Sequence, residues 1–452
     1  MKRKDDSTPI ASRRGFLTSA AGIAAITGTG IGTDVLAAGS ADAAVRSAPK
    51  GQTEPFWGPH QGGILTPQQK HTYFAAFDLV TDQQGDIAKL LQSWTLAAER
   101  MTTGQTAQAM DGGLSPAVVR VNTQAYGSHA TPDPATLAGD TGEALDLNPA
   151  RLTVTFGFGP GLFVKDGNDR YGLAHLRPEA LVDMPKFASD QLVEAQTGGD
   201  LSVQACADDP QVAFHAIRQL ARLADGSAQI RWVQTGFLPN AGSSGTPRNL
   251  MGFKDGTINP PPRDPKAMEQ FVWAGTEGPN WIRGGSYMVV RRIRIALEHW
   301  DQMKVAFQEQ AVGRHKYTGA PLGKKNERDE LDLKATDSDG NLVVPENAHV
   351  RLAAAATNDG AQILRRPYSY NVGADVIAER WPPWRQALEY DAGLFFVCYQ
   401  RDPRIGFIKI YEKMSKFDTM NQFVTHVGGG LFACPRGAAQ GEYIGQNLLQ
   451  SA

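Results

Sequence analysis

Only three cysteines, Cys206, Cys398 and Cys434, occur in 452 residues, and no two of them form a C-x-x-C pair. That scarcity excludes a disulfide framework, zinc ribbons, thioredoxin-like redox motifs and covalent C-x-x-C-H haem attachment. Charge of one sign is missing too: 45 Lys plus Arg nearly cancel 47 Asp plus Glu. No strong field therefore recruits nucleic acid or an anionic membrane. A long unbroken apolar run is also absent. The weakly apolar segment 18–31 is interrupted by Gly and Thr and is shorter than the roughly 20 residues of a membrane span. No stable membrane anchor is expected.

What remains is an ordinary globular balance, 41% hydrophobic and 20% charged, with enough apolar material for a sizeable core and a length that suits two domains. The N-terminus is the clearest local signal. A charged start is followed by Ser12-Arg13-Arg14-Gly15-Phe16-Leu17, a Gly/Ala/Ile run, and the small residues Ala37, Ala38 and Ala41-Asp42-Ala43. This pattern predicts a twin-arginine export signal over 1–45 and a periplasmic or extracellular destination. That route serves folded proteins, many of which take up a cofactor before crossing.

Past a Pro/Gly-rich linker, the spacing predicts a strand at 71–80 and a helix at 86–101 with Ile87, Leu90, Leu91, Trp94 and Leu96 on one face. A polar loop is expected at 122–149, strands at 152–159 and 230–237, and a helix at 211–224. The second half repeats the order: strand 286–295, helix 297–311, a charged insertion at 323–347, central strand 393–399, short helix 418–426 and closing strand 430–434. The expectation is an α+β fold of two ferredoxin-like halves, 46–245 and 246–452, each an antiparallel sheet with packed helices.

Two motifs invite readings that their details exclude. Gly157-Phe158-Gly159-Pro160-Gly161 has its third glycine one position early for a dinucleotide fingerprint. Asp337-Ser338-Asp339-Gly340-Asn341 carries its glycine at the wrong position for a calcium loop, and reads as a hairpin turn. Other segments gain meaning together: Gly252-Phe253-Lys254-Asp255-Gly256-Thr257, then His349-Val350-Arg351-Leu352, then Leu364-Arg365-Arg366-Pro367-Tyr368-Ser369-Tyr370, then Asp391-Ala392-Gly393-Leu394-Phe395-Phe396. In that order they resemble the dye-decolorizing peroxidases, especially the branch that includes periplasmic deferrochelatases. Further likeness lies at Thr155-Phe156-Gly157-Phe158-Gly159-Pro160, at Gly284-Gly285-Ser286-Tyr287 and at Gly428-Gly429-Gly430. Ala353-Ala354-Ala355-Ala356 departs from the more polar, proline-containing run of close relatives.

The resemblance implies a barrel-like pairing of the two halves and one non-covalent haem b per chain. It also implies hydrogen peroxide as oxidant and a bulky organic reductant such as a dye or phenolic. Its alternatives are a deferrochelatase that releases iron from haem and a non-catalytic haem carrier; a homo-oligomer is compatible with all three. His349 becomes the axial ligand of the iron. Asp255 becomes the acid–base group for peroxide, and Arg365 the fixed cation that stabilises developing negative charge. Asp391 is the candidate carboxylate behind His349, which would raise its basicity. Gly256, Thr257 and Ile258 let the backbone approach the haem edge, since glycine lacks a Cβ, and Phe395 shields the distal pocket. Trp381, Trp384 and Tyr390, with Tyr368 and Tyr370, are candidates for passing electrons from a surface-bound reductant. Cys398, alternating into an apolar strand, reads as core.

Overall fold

In the computed structural model, residues 52–109, 139–239, 245–378 and 386–451 are described. The expected export signal, most of the loop 122–149, and Trp381 and Trp384 lie outside them. The first half begins with strand β1 (His71–Leu79), helix α1 (Gln84–Thr102) and strands β2 (Thr153–Phe158) and β3 (Leu201–Ala207). Helix α2 (Pro210–Leu223) and strand β4 (Ala228–Phe237) complete it. Helix α1 forms because Ile87, Leu90, Leu91, Trp94, Ala98 and Met101 recur at three- and four-residue spacing and are all buried. Leu96, expected on that face, falls off it and is 62% exposed. Helix α2 is started by Asp209, whose carboxylate accepts from the Gln211 and Val212 amides, with Pro210 just inside. Trp94 Nε1 donates to Leu220 O at 2.7 Å and locks the two helices together.

The second half contains β5 (Ser286–Ile295), α3 (Val305–Val312), α4 (His349–Ala353) and the two-residue β6 (Leu364–Arg365). After these come β7 (Tyr368–Ala378), β8 (Gln386–Gln400), α5 (Lys409–Phe417) and β9 (Val424–Cys434). The expected helix 297–311 is broken into Leu297–Asp301 and α3. Gln308 Nε2 donates to the carbonyls of Trp300 and Met303 freed at the break, which removes the penalty of burying them unpaired. The expected helix 418–426 is instead a single 3-10 turn, Thr419–Gln422, and its last three residues belong to β9. Asp337 and Asn341 close the hairpin turn read from the sequence, flanked by a Thr336–Leu342 bridge.

Each half pairs its strands in the ferredoxin-like order, β2-β3-β1-β4 in the first and β9-β5-β8-β7 in the second, all antiparallel. The sheets then join edge to edge, β2 to β9 at Phe158–Ala433 and β4 to β7 at Phe237–Ser369. The result is a closed ring. Its interior is filled by alternate residues of facing strands, among them Phe74, Trp232, Met288, Tyr370, Phe395, Val397 and Phe432. Helices α1, α2 and α5 cover the outer faces in a second core. Among the described residues no helix is long and apolar enough to cross a membrane.

One buried charge cluster ties α2 to the segment just before β2. His215 Nε2 lies 3.3 Å from Asp140 and its Nδ1 lies 3.2 Å from Glu143. Burial alone lowers the pKa of His215, but the two carboxylates outweigh it and hold it above 6.5. Burial raises both acids, yet hydrogen bonds, including those from His215, leave them below their ordinary values. The histidine's contribution is therefore complete below about pH 6.5 and is lost as pH rises through its folded pKa. The acids' contribution is present above about pH 4 and is lost on acidification. His215→Ala should lower stability by about 3 kcal/mol near pH 6, because the buried carboxylate of Asp140 loses its cation, while Glu143 keeps Arg218. Urea midpoints should show that penalty shrinking near pH 9; an equal penalty at both would contradict the charge assignment.

Candidate active site

The segment carrying Asp255 folds back on itself. Asn249 Oδ1 accepts from the Met251 and Phe253 amides, and Gly252 takes φ +84, a left-handed conformation that suits glycine. Phe253 anchors the turn in a small core beside Trp300 and Phe423. The Asp255 amide donates to Pro247 O, which fixes where the carboxylate emerges. Gly256 has φ +98, and a Cβ added there would meet nothing within 4 Å. Main chain thus opens directly onto free space.

Arg365 reaches this turn from β6. Its NH1 donates to Asp255 Oδ1 at 3.3 Å and its NH2 to Ile258 O at 2.7 Å. Asn259 clamps the arginine main chain from both sides, donating to Arg365 O at 2.9 Å and accepting from Arg365 N at 3.1 Å. The fixed cation is therefore held by backbone and side chain together. Asp255, Gly256, Asn259, Glu327, Arg328 and Arg365 share the wall of a cavity of about 450 Å³. No hydrogen bond to Asp255 Oδ2 is present among the described residues, and the aspartate itself lines the cavity.

His349 opens α4, which packs against α5. Its Nδ1 lies 2.7 Å from Asp418 Oδ2, and the carboxylate, an acceptor only, places the ring proton on Nδ1. Nε2 is left without a hydrogen bond among the described residues, and 39% of the side chain stays open. Burial pulls the ring's pKa down, but Asp418 outweighs it, aided by Asp255 and opposed by Arg365, and the pKa ends above 6.5. The imidazole thus lies within the field of the Asp255–Arg365 pair without belonging to the cavity wall that they share.

Sequence models of two domains match the chain: Dyp-type peroxidase, N-terminal, over residues 61–238, and Dyp-type peroxidase, C-terminal, over 246–439. The chain belongs to the Dyp-type peroxidase family. It is 35% identical to a dye-decolorizing peroxidase of Thermobifida fusca over the whole of both chains. It is 34% identical to a deferrochelatase of Escherichia coli K12, covering 89% of this chain and 88% of that one. A solved structure of DtpA from Streptomyces lividans is 40% identical with a TM-score of 0.75, over 88% of this chain and 98% of that one. Membership makes the chain a haem-dependent peroxidase, an oxidoreductase that uses hydrogen peroxide and a reductant.

The residues present fit a haem. A histidine with its Nδ1 proton engaged by a carboxylate and its Nε2 free is the arrangement a haem iron ligand needs. Gly256 offers an open main-chain cradle. The three cysteines are buried, which leaves no thiol placed for a thioether link.

Two sequence expectations are corrected. Asp391 is not the carboxylate behind His349; it pairs with Arg292 NH2 at 2.7 Å, in a cluster where Arg292 also binds Gln234 and stacks on Tyr370. Strand β8 turns it toward that cluster, while His349 lies among the helices, and Asp418 takes the role. Phe395 does not shield the distal pocket. Alternation along β8 sends it into the ring against Phe74, and its neighbour Leu394 lines the cavity instead. Thr257 turns its hydroxyl to Glu327, and Ile258 contributes its carbonyl while its side chain is 57% exposed. Tyr368 and Tyr370 are fully buried; Tyr390 is 55% exposed. Asn259 and Asp418 escaped the sequence reading: an Asn before a proline and an Asp after a helix are ordinary turn residues, and nothing local marks their distant partners.

Haem titration followed by Soret absorbance checks the ligand set. His349→Ala should lose haem, and Asp418→Asn should weaken haem affinity by about 10–100-fold. Asp391→Asn should leave the affinity unchanged; the reverse ranking of the two aspartates would overturn the correction.

Proposed function

We propose that the chain reduces hydrogen peroxide with Asp255 as acid–base group and Arg365 as fixed cation, and draws electrons from bulky reductants such as dyes and phenolics. The observation that carries the reading is the Asp255–Arg365 pair on the cavity wall, within electrostatic reach of a carboxylate-backed His349. A haem carrier has no use for such a pair.

Bound haem, ligated by His349, supplies the iron at which peroxide is reduced. The protein's own part is proton handling. The Oδ2 of Asp255 accepts a proton from one peroxide oxygen and returns it to the other, which leaves as water. Arg365, permanently charged and held by Ile258 O and Asn259, stabilises the negative charge that builds on the departing oxygen. Gly256 lets the main chain border this space without a side chain in the way.

Large reductants fit a site outside a cavity of about 450 Å³, and Tyr390, 55% exposed on β8, is a candidate contact for them. Ser12-Arg13-Arg14-Gly15-Phe16-Leu17 supports export by the twin-arginine route, with haem loaded before transfer. The change of family profile between residues 238 and 246 supports two halves that part near 245.

Stopped-flow spectra of the haem-loaded protein mixed with peroxide test the reading. Asp255→Asn should retain haem and slow the peroxide step by about 10²–10⁴-fold. An unaltered rate would remove Asp255 from the chemistry. Iron released with the porphyrin intact would transfer the chain to the deferrochelatase activity.

A further inference from the structure

The charged segment 323–347 has no part in the function so far, yet two of its residues, Glu327 and Arg328, reach the cavity wall. Glu327 places its carboxylate against Lys254 Nζ and Thr246 Oγ1, and accepts from Thr257 Oγ1 at 3.0 Å. Lys254 directly precedes Asp255 and Thr257 follows it by two residues. One carboxylate thus gathers donors from both flanks of Asp255.

We infer that Glu327 is a positioning residue: it holds the Lys254 ammonium away from Asp255 and leaves that carboxylate to Arg365 and the cavity. This inference rests on the reading of Asp255 as the acid–base group.

The clamp is built from behind. Arg314, only 6% exposed, donates through NH1 to Gly319 O at 2.7 Å and to Glu327 O at 2.9 Å, which fixes the main chain on which Glu327 stands. Gly319 has φ +76, and a Cβ there would lie 2.7 Å from Lys254 Cδ and 3.3 Å from Glu327 Cγ. Glycine therefore leaves the groove in which the lysine stem lies. Burial raises the pKa of Glu327, but its bonds from Lys254, Thr246 and Thr257 outweigh that and keep it below the ordinary glutamate value.

Without that anion, the ammonium is a compact charge on a flexible stem in a partly buried place. Asp255 stands next to it in sequence, and among the described residues its carboxylate takes one bond, from Arg365 at 3.3 Å. An Asp255 captured by Lys254 would hold a charge-assisted bond where it should hold a peroxide proton.

The test is a cycle of haem-loaded variants read by stopped-flow, with Soret absorbance for haem content. Glu327→Gln keeps the size of the side chain but removes the charge, and should slow the peroxide step by about 10-fold or more with haem content unchanged. Lys254→Met alone should stay within about threefold of wild type, and Lys254→Met added to Glu327→Gln should restore that rate. The rescue is a readout that a merely structural Glu327 would not give. A normal rate in Glu327→Gln, or a double variant as slow as Glu327→Gln, overturns the inference. If Glu327→Gln does not fold, Lys254→Met decides alone, and a large loss in it counts against the clamp. Asp255→Asn runs beside them. If it too reacts at the normal rate, the underlying assignment of Asp255 has failed; if it is slow while Glu327→Gln is not, only the clamp has failed.

Discussion

A four-stranded sheet of the ferredoxin-like kind has two unpaired edges, and in this molecule each edge is brought against an edge of the other sheet. Strands β2 and β4 of the first half meet β9 and β7 of the second, through pairings as short as Phe158–Ala433 and Phe237–Ser369. Closure sets against each other edges whose backbone groups would otherwise be open to recruit other strands. It also gives the interior enough depth to bury Phe74, Phe395 and Phe432 together, at roughly 25 cal/mol for each Å² of apolar surface removed from water. The ring is filled, so chemistry has to sit outside it. Outward positions of the same strands supply that place: Ser369 and Leu394 face the cavity while Tyr370 and Phe395 face the core.

Around that cavity the charges come as held pairs. Arg365 is fixed by Ile258 and Asn259 before it meets Asp255, and Lys254 is fixed by Glu327. His349 is fixed by Asp418, which spends its other oxygen on the Met420 amide. A peroxidase site of this kind works with charges already in place, since preorganised groups need no rearrangement as negative charge develops. The long side chains alone would not stay put; their backbone and carboxylate partners make them directional.

Much of this was legible from sequence, for identifiable reasons. Helices α1 and α2 announce themselves because their buried residues keep strict helical spacing over 14 residues or more. The strand order of both halves, and the meeting of Asp255 with Arg365, follow from the family resemblance rather than from periodicity. Helix α5 was lost because Gly406 leaves helical geometry just before it and splits the pattern of Phe407, Ile410, Tyr411 and Met414. Strand β7 was hidden by a bulge between Asn371 and Ala374 and by exposed apolar residues such as Val376. The partner of His349 was misassigned because Asp391 and Asp418 are equally plausible in one dimension; only the ring decides which of them turns toward Arg292. Glu327 sits in a run that resembles any solvated charged loop, and its buried anchor, Arg314, is 13 residues away.

The central proposal is that His349 would hold the haem and that the Asp255–Arg365 pair would face it from the other side. Electron density for the haem-loaded protein tests it most directly. The account predicts a single haem with its iron bound to His349 Nε2 and its other face turned to Asp255 and Arg365. A haem ligated by any other residue, or one with His349 and Asp255 on the same face, would contradict it.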